Sequence, residues 1–144
     1  MNYDLVIVGG GPGGVAAGVY AARKKLATAL VTDTFGGQSL VSDEIQNWIG
    51  AVSISGFDLS KSLEAHLKAQ EGIEIVEGDR VKRIVRLPRM SVREPRFRVE
   101  TEGKRSFSTR AVLIVSGSRR RRLGVPGEAR FEGKGVAFCA TCDA

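Results

Sequence analysis

The hydrophobic pattern changes period along the chain, and each change predicts an element. Leu5-Val6-Ile7-Val8 is a continuous apolar run, as in a parallel strand covered on both faces. Gly9 to Gly14 predicts a tight turn, and Val15 to Lys25, rich in alanine and basic at its end, predicts a helix. Thr28 to Thr32 predicts a second strand closed by Asp33, completing a right-handed βαβ unit. No period holds from Phe35 to Gly56, whose glycines, serines and asparagine predict a long ordered loop or short helices. Ser55-x-x-Asp58 then predicts a helix start, and Leu59, Leu63 and Leu67 an amphipathic helix stopped at Gly72. Ile73 to Val76 reads as a third parallel strand. Val81 to Val85, Phe97 to Thr101 and Ser106 to Thr109 read as an antiparallel meander turned at Glu102-Gly103-Lys104. Ala111 to Val115 reads as a further buried strand, ended by Ser116-Gly117-Ser118. The fold class expected is α/β: a Rossmann-like parallel sheet with an antiparallel β-meander.

Composition narrows the setting. The chain has 144 residues, 42% of them hydrophobic, enough for one ordinary core. Its longest apolar runs fall far short of the roughly 20 residues a membrane-spanning helix needs, and Asp4 and the glycines after Val8 interrupt any signal-peptide core. The expected location is cytoplasmic. There the only two cysteines, Cys139 and Cys142, suit redox work better than a structural disulfide. With one distant histidine, His66, they supply too few ligands for a tetrahedral zinc site within one chain.

The net charge of +6 is concentrated between Arg80 and Arg122, where fifteen Lys and Arg face three acids. An acidic partner or nucleic acid could use such a block. Its alternation with apolar residues in Arg96-Phe97-Arg98-Val99 instead predicts a strand with one solvated face, so neither nucleic acid nor a membrane is the expected partner.

Gly9-Gly10-Gly11-Pro12-Gly13-Gly14 fits G-x-G-x-x-G, placing Gly9, Gly11 and Gly14 at the required positions between a strand and a helix. Asp33 follows nineteen residues after Gly14. Each residue has a physical duty: Gly9 for the turn, Gly11 for backbone approach to a pyrophosphate, Gly14 for helix packing, Asp33 for ribose hydroxyls. A glycine turn without a ligand is the competing reading.

Three later segments carry a family resemblance: Phe35-Gly36-Gly37-Gln38, Asn47-Trp48-Ile49-Gly50 and Val115-Ser116-Gly117. With Gly124-Val125-Pro126-Gly127-Glu128, Gly133-Lys134-Gly135-Val136 and Cys139-Ala140-Thr141-Cys142-Asp143, they resemble the thioredoxin reductase family, including the related flavoprotein subunit of alkyl hydroperoxide reductase. The resemblance spans essentially the whole chain in order. It implies FAD as the dinucleotide, at the N-terminal part of an FAD/NAD(P)-binding domain. Gly9, Gly11, Pro12, Gly13 and Gly14 would cradle it, with Gly37, Gln38 and Asn47 beside the flavin half, Val81 offering backbone to the adenine, and Ser116 and Gly117 in the closing turn. Loop packing is the competing reading of Asn47 and Trp48.

By the same resemblance Cys139 attacks a substrate disulfide, Cys142 meets the flavin and Asp143 handles the proton. Two inert buried thiols are the alternative. Residues 1–117 would be the first segment of the FAD-binding domain, and 118–144 the start of a pyridine-nucleotide domain cut short after the cysteines. Only one glycine fingerprint is present, so NAD(P)H is expected only in a complete protein. That parent is expected to be a homodimeric disulfide reductase acting on a thioredoxin-like or peroxiredoxin-linked protein disulfide. The isolated chain is expected to be an inactive nucleotide-binding fragment or assembly half, with apolar surface or a strand edge left uncovered. Departures from the family are Gly13 for alanine, Ile49 for proline and Val115-Ser116 for Ala-Thr. His66 is expected at a partly exposed boundary of its helix, and Glu44 and the Arg119–Arg122 run are expected to be surface features.

Overall fold

A computed structural model describes residues 2–88, 91, 94–118, 121–132 and 134–137. Its elements are β1 (Asn2–Gly10), α1 (Pro12–Arg23), β2 (Thr28–Phe35), a short 3-10 helix (Gly37–Val41) and α2 (Gly56–Lys68). There follow β3 (Ile73–Glu77), β4 (Val81–Arg86), β5 (Phe97–Thr101), β6 (Ser106–Ile114) and α3 (Glu128–Phe131). All six strands join one sheet in the order β3-β2-β1-β6-β5-β4. β1 runs parallel to β2 and β6, and β2 parallel to β3, whereas β4, β5 and β6 are antiparallel neighbours.

This order forces the sheet to curl. β3 and β4 occupy opposite edges, yet only Gly78, Asp79 and Arg80 separate Glu77 from Val81. Four chain steps reach about 14 Å at most, whereas five strand spacings in a flat sheet would measure about 24 Å. The meander must therefore fold back over one face of the parallel strands. The core shows that it does: Val99 and Phe107, with Val81 and Ile84 against them, pack on Tyr3, Val6, Ala29, Val31 and Val76. Helices α1 and α2 cover the other face, where Val15, Val19 and Leu67 meet Ile7 and Leu30. Alternate residues of β1 and β2 thus serve two apolar layers, which explains why their sequence is continuously apolar.

Local chemistry starts α2 as expected, although the helix ends at Lys68, before Gly72. Ser55 caps α2 by accepting the Asp58 N–H at 3.0 Å. Its stripe buries Leu59 and Leu67, while His66 on the polar side is exposed. The unpatterned stretch before it contains the 3-10 helix and one isolated bridge, Ile45 with Ile54.

Three sequence expectations need correction. β2 continues to Phe35, so Asp33 lies within the strand and does not close it. Ser106 to Thr109 and Ala111 to Val115 are not two strands, since Ser106 to Ile114 form one. Arg110 breaks the apolar run only because it points outward, where it donates to Asp4 at 3.0 Å. Nor is the last part of that strand buried: Ile114 is 62% exposed and Leu113 is 38% exposed. Among the described residues, no helix is long and apolar enough to cross a membrane.

Candidate functional site

The glycine turn between β1 and α1 divides its duties between internal packing and an open face. Gly9 has φ +115°, and a Cβ there would lie 2.4 Å from the Val115 carbonyl oxygen. At Gly14 a Cβ would fall 1.9 Å from the Gly9 carbonyl oxygen. Both positions exclude side chains because the chain meets its own backbone. Gly11 differs, since the nearest protein atom to an added Cβ is 4.0 Å away. Packing within the chain does not demand glycine there, whereas close approach by an external group would.

The start of α1 strengthens that distinction. Gly11 caps the helix without a side-chain bond, Pro12 supplies no N–H, and the first turn has no acidic side chain. The helix therefore presents the N–H groups of Gly13 and Gly14 and its positive dipole end. This donor set suits a diphosphate.

Two adjoining clefts extend from this turn over the carboxyl ends of the parallel strands. One, of about 360 Å³, is lined by Gly11, Pro12, Gly13, Gly37, Gln38 and Gly117, among others. Its neighbour, of about 410 Å³, is lined by Asp33, Asp79, Arg80, Val81 and the ends of β1 and β2. Gly37, Gln38, Ser116 and Ser118 border both. Together they form a trough from the α1 terminus to the β3–β4 turn. A larger cleft of about 790 Å³ lies between Ala22–Ala27 and Ala69–Gly72, away from these residues.

The trough gathers most residues singled out from the sequence. Gly11, Pro12, Gly13, Asp33, Gly37, Gln38, Val81, Ser116 and Gly117 line it, while Gly9 and Gly14 support its floor from within. Asn47 lines neither cleft and is exposed, and Trp48 beside it is 37% exposed. Cys139, Cys142 and Asp143 lie outside the described residues.

Asp33 has a partner that sequence reasoning missed. Arg80 donates to its Oδ2 through Nε at 3.0 Å and again through Nη2. The two residues are 47 positions apart and meet because β3 pairs in parallel with β2, so the turn after β3 leaves beside the end of β2. Nothing local separated Arg80 from the other cations of its block.

Asp79 holds that turn in place. Its Oδ1 accepts the N–H of Arg80 at 2.8 Å and of Gly103 at 2.9 Å, linking the β3–β4 and β5–β6 turns. Hydrogen bonding from Thr101, then from Gly103, keeps its carboxyl below the usual aspartate range. Farther along, Glu128 accepts the N–H groups of Leu123 and Gly124 at 2.9 and 2.8 Å. These bonds, led by Leu123, hold its carboxyl below the usual glutamate range.

Two departures from the family pattern sit against each other. A Cβ on Gly13 would lie 3.7 Å from Val115 Cγ1, in ordinary contact. The methyl absent at Gly13 is thus adjacent to the larger side chain at Val115. Ile49, the third departure, is 95% exposed on the Ile45–Ile54 excursion.

Comparison with known proteins agrees with this architecture. An alkyl hydroperoxide reductase subunit of Pseudomonas aeruginosa is 37% identical over 142 residues, covering 98% of this chain and 26% of that protein. An NADH dehydrogenase of Bacillus subtilis is 37% identical over 141 residues, with the same coverage. The thioredoxin reductase structure from Streptococcus pyogenes superposes with a TM-score of 0.83 at 34% identity, covering 99% of this chain and 44% of that one. The chain therefore spans about a quarter of the length of these curated relatives and less than half of the solved structure. The pyridine nucleotide-disulphide oxidoreductase family model matches residues 3–144, and this chain belongs to that family.

Proposed function

We propose that the trough binds FAD and that the chain is the nucleotide-binding and dithiol-bearing portion of a disulfide reductase. The observation that carries the nucleotide assignment is the contrast at the first turn. Gly9 and Gly14 lack side chains because the backbone leaves no room, whereas Gly11 lacks one facing an open cleft at an uncapped helix terminus. An ADP-type diphosphate accounts for the latter. Bound FAD supplies two-electron transfer between a nicotinamide and a disulfide.

In this reading Gly13 and Gly14 donate backbone N–H groups to the diphosphate, and Asp33 accepts from the adenosine ribose. Val81 lies at the adenine end, and Gly37 and Gln38 border the flavin half. Asn47 is assigned to that half only by the family resemblance. Residues 1–117 form the first segment of the FAD-binding domain, and 118–144 begin the region carrying the cysteines. NAD(P)H is assigned to a nucleotide domain of the complete enzyme.

The dithiol chemistry rests on Cys139 and Cys142. The Cys139 thiolate attacks one sulfur of a thioredoxin-like or peroxiredoxin-linked disulfide, forming a mixed disulfide and releasing the other sulfur as a thiolate. Asp143 provides the proton for that leaving sulfur. Cys142 then displaces the second substrate sulfur, so the substrate is reduced to a dithiol and Cys139–Cys142 becomes a disulfide.

The nucleotide and thiol assignments can be tested separately. Titration with FAD should quench flavin fluorescence in the unaltered chain but not in Gly11→Val. Equal binding by both would sink the cradle assignment. The chemically reduced chain should transfer one electron pair to a thioredoxin-like disulfide, and Cys139→Ser should abolish the transfer. Unimpaired transfer by that variant would exclude Cys139 as the attacking thiol.

A further inference from the structure

We propose that Arg80 is a positioning residue for the adenosine half of the nucleotide, acting through Asp33; this inference rests on the FAD reading above. Both residues line the same 410 Å³ cleft. Asp33 stands in β2, and Arg80 belongs to the turn that brings the meander across the sheet.

The pair is poorly explained as a structural brace. Both side chains are about half exposed, at 51% for Arg80 and 47% for Asp33. Solvent-screened ion pairs of this kind contribute little to stability. Their local geometry is nevertheless closely defined. The Gly78 N–H donates to the Asp33 carbonyl at 3.1 Å, and the Asp79 N–H to the Thr32 carbonyl at 3.3 Å. The Arg80 carbonyl accepts the Glu102 N–H at 2.8 Å, while Asp79 holds the Arg80 N–H. The guanidinium is thus delivered from a backbone fixed on both sides.

Its two bonds converge on Oδ2, and among the described residues no bond to Asp33 Oδ1 occurs. An aspartate in solution samples several rotamers. Here the forked donor selects one, leaving the second oxygen as a preset acceptor for a ribose hydroxyl. Preorganisation of this kind raises affinity by removing an ordering cost from binding. The ligand fragment affected is the adenosine ribose, while the flavin half gains nothing from Arg80.

The test compares FAD and FMN, because FMN lacks the adenosine. Arg80→Ala should weaken FAD binding about tenfold, as expected when the ordering of one side chain has to be supplied on binding, while leaving FMN binding unchanged. Arg80→Lys should recover only part of the loss, since an ammonium cannot reproduce the fork. In an Asp33→Ala background, Arg80→Ala should cause no additional loss, because its action passes through the acid. Unaltered FAD affinity in Arg80→Ala would overturn the proposal alone. Equal losses for FAD and FMN, with a lowered melting temperature, would also overturn it by revealing a general structural role. Failure of the unaltered chain to bind FAD would overturn both this proposal and the reading beneath it.

Discussion

Two turns border the trough, and they are specified at very different ranges. The Gly9–Gly14 turn is marked by six consecutive residues between the strand and helix it joins, with the Val115 carbonyl against Gly9 as a distant contact. The Gly78–Arg80 turn acquires its position from the whole sheet. It must bridge two edge strands, and it is fastened to β2 and the β5–β6 turn by hydrogen bonds that cross large sequence separations. A site can therefore contain one wall written locally and another created by closure of the fold.

The largest expected effect comes from opening the second wall. Phe107→Ala removes a ring buried between the meander and the parallel strands and should cost about 3–5 kcal/mol in urea unfolding. A loss below about 1 kcal/mol would mean the meander is held chiefly by its backbone ladder. Gly14→Ala attacks the first wall, where the added methyl meets a carbonyl at 1.9 Å. It should cost about 3 kcal/mol, the upper end of ordinary overpacking. If the variant unfolds at the same urea concentration as the unaltered chain, the close strand-to-helix contact is not a constraint.

Acid should weaken the second turn through Asp79. Its folded-state pKa is depressed, so its contribution is present above the ordinary aspartate range and lost as pH falls through that range and the lower folded value. Asp79→Asn should reduce the fall in melting temperature on acidification and lower it near neutrality. An acid-induced loss identical in both proteins would assign the effect to other carboxylates.

The smallest effect sharpens the contrast between neighbouring glycines. Gly13→Ala places its methyl 3.7 Å from Val115 and should stabilise the chain by about 0.4–1 kcal/mol. The same substitution one residue later should have the opposite sign. Melting curves of the two variants provide the comparison.

These contrasts also explain which parts of the structure were legible in the sequence. β1, α1, β2 and α2 were readable because apolar runs, helical spacing and the Ser55 cap act over short stretches. The length of β6 was hidden by Arg110, whose charge resembled an interruption but belongs to an outward-facing position paired with Asp4. The exposure of Leu113 and Ile114 was equally hidden, since composition describes a residue's preference and not which neighbours cover it. At the site, Asp33 carried a recognisable spacing from the glycines. Arg80 had no such marker, and its relation to Asp33 exists only once β3 has paired with β2.

β6 gives this arrangement a mechanical continuity. Ser106 to Thr109 pair with β5 and Ser108 to Ile114 with β1, and the strand ends where the Val115 N–H donates to the Val8 carbonyl at 2.9 Å, next to Gly9. One uninterrupted ribbon is therefore a common rail for both layers. The strand that carries the meander thus runs without a break to the glycine turn at the start of α1.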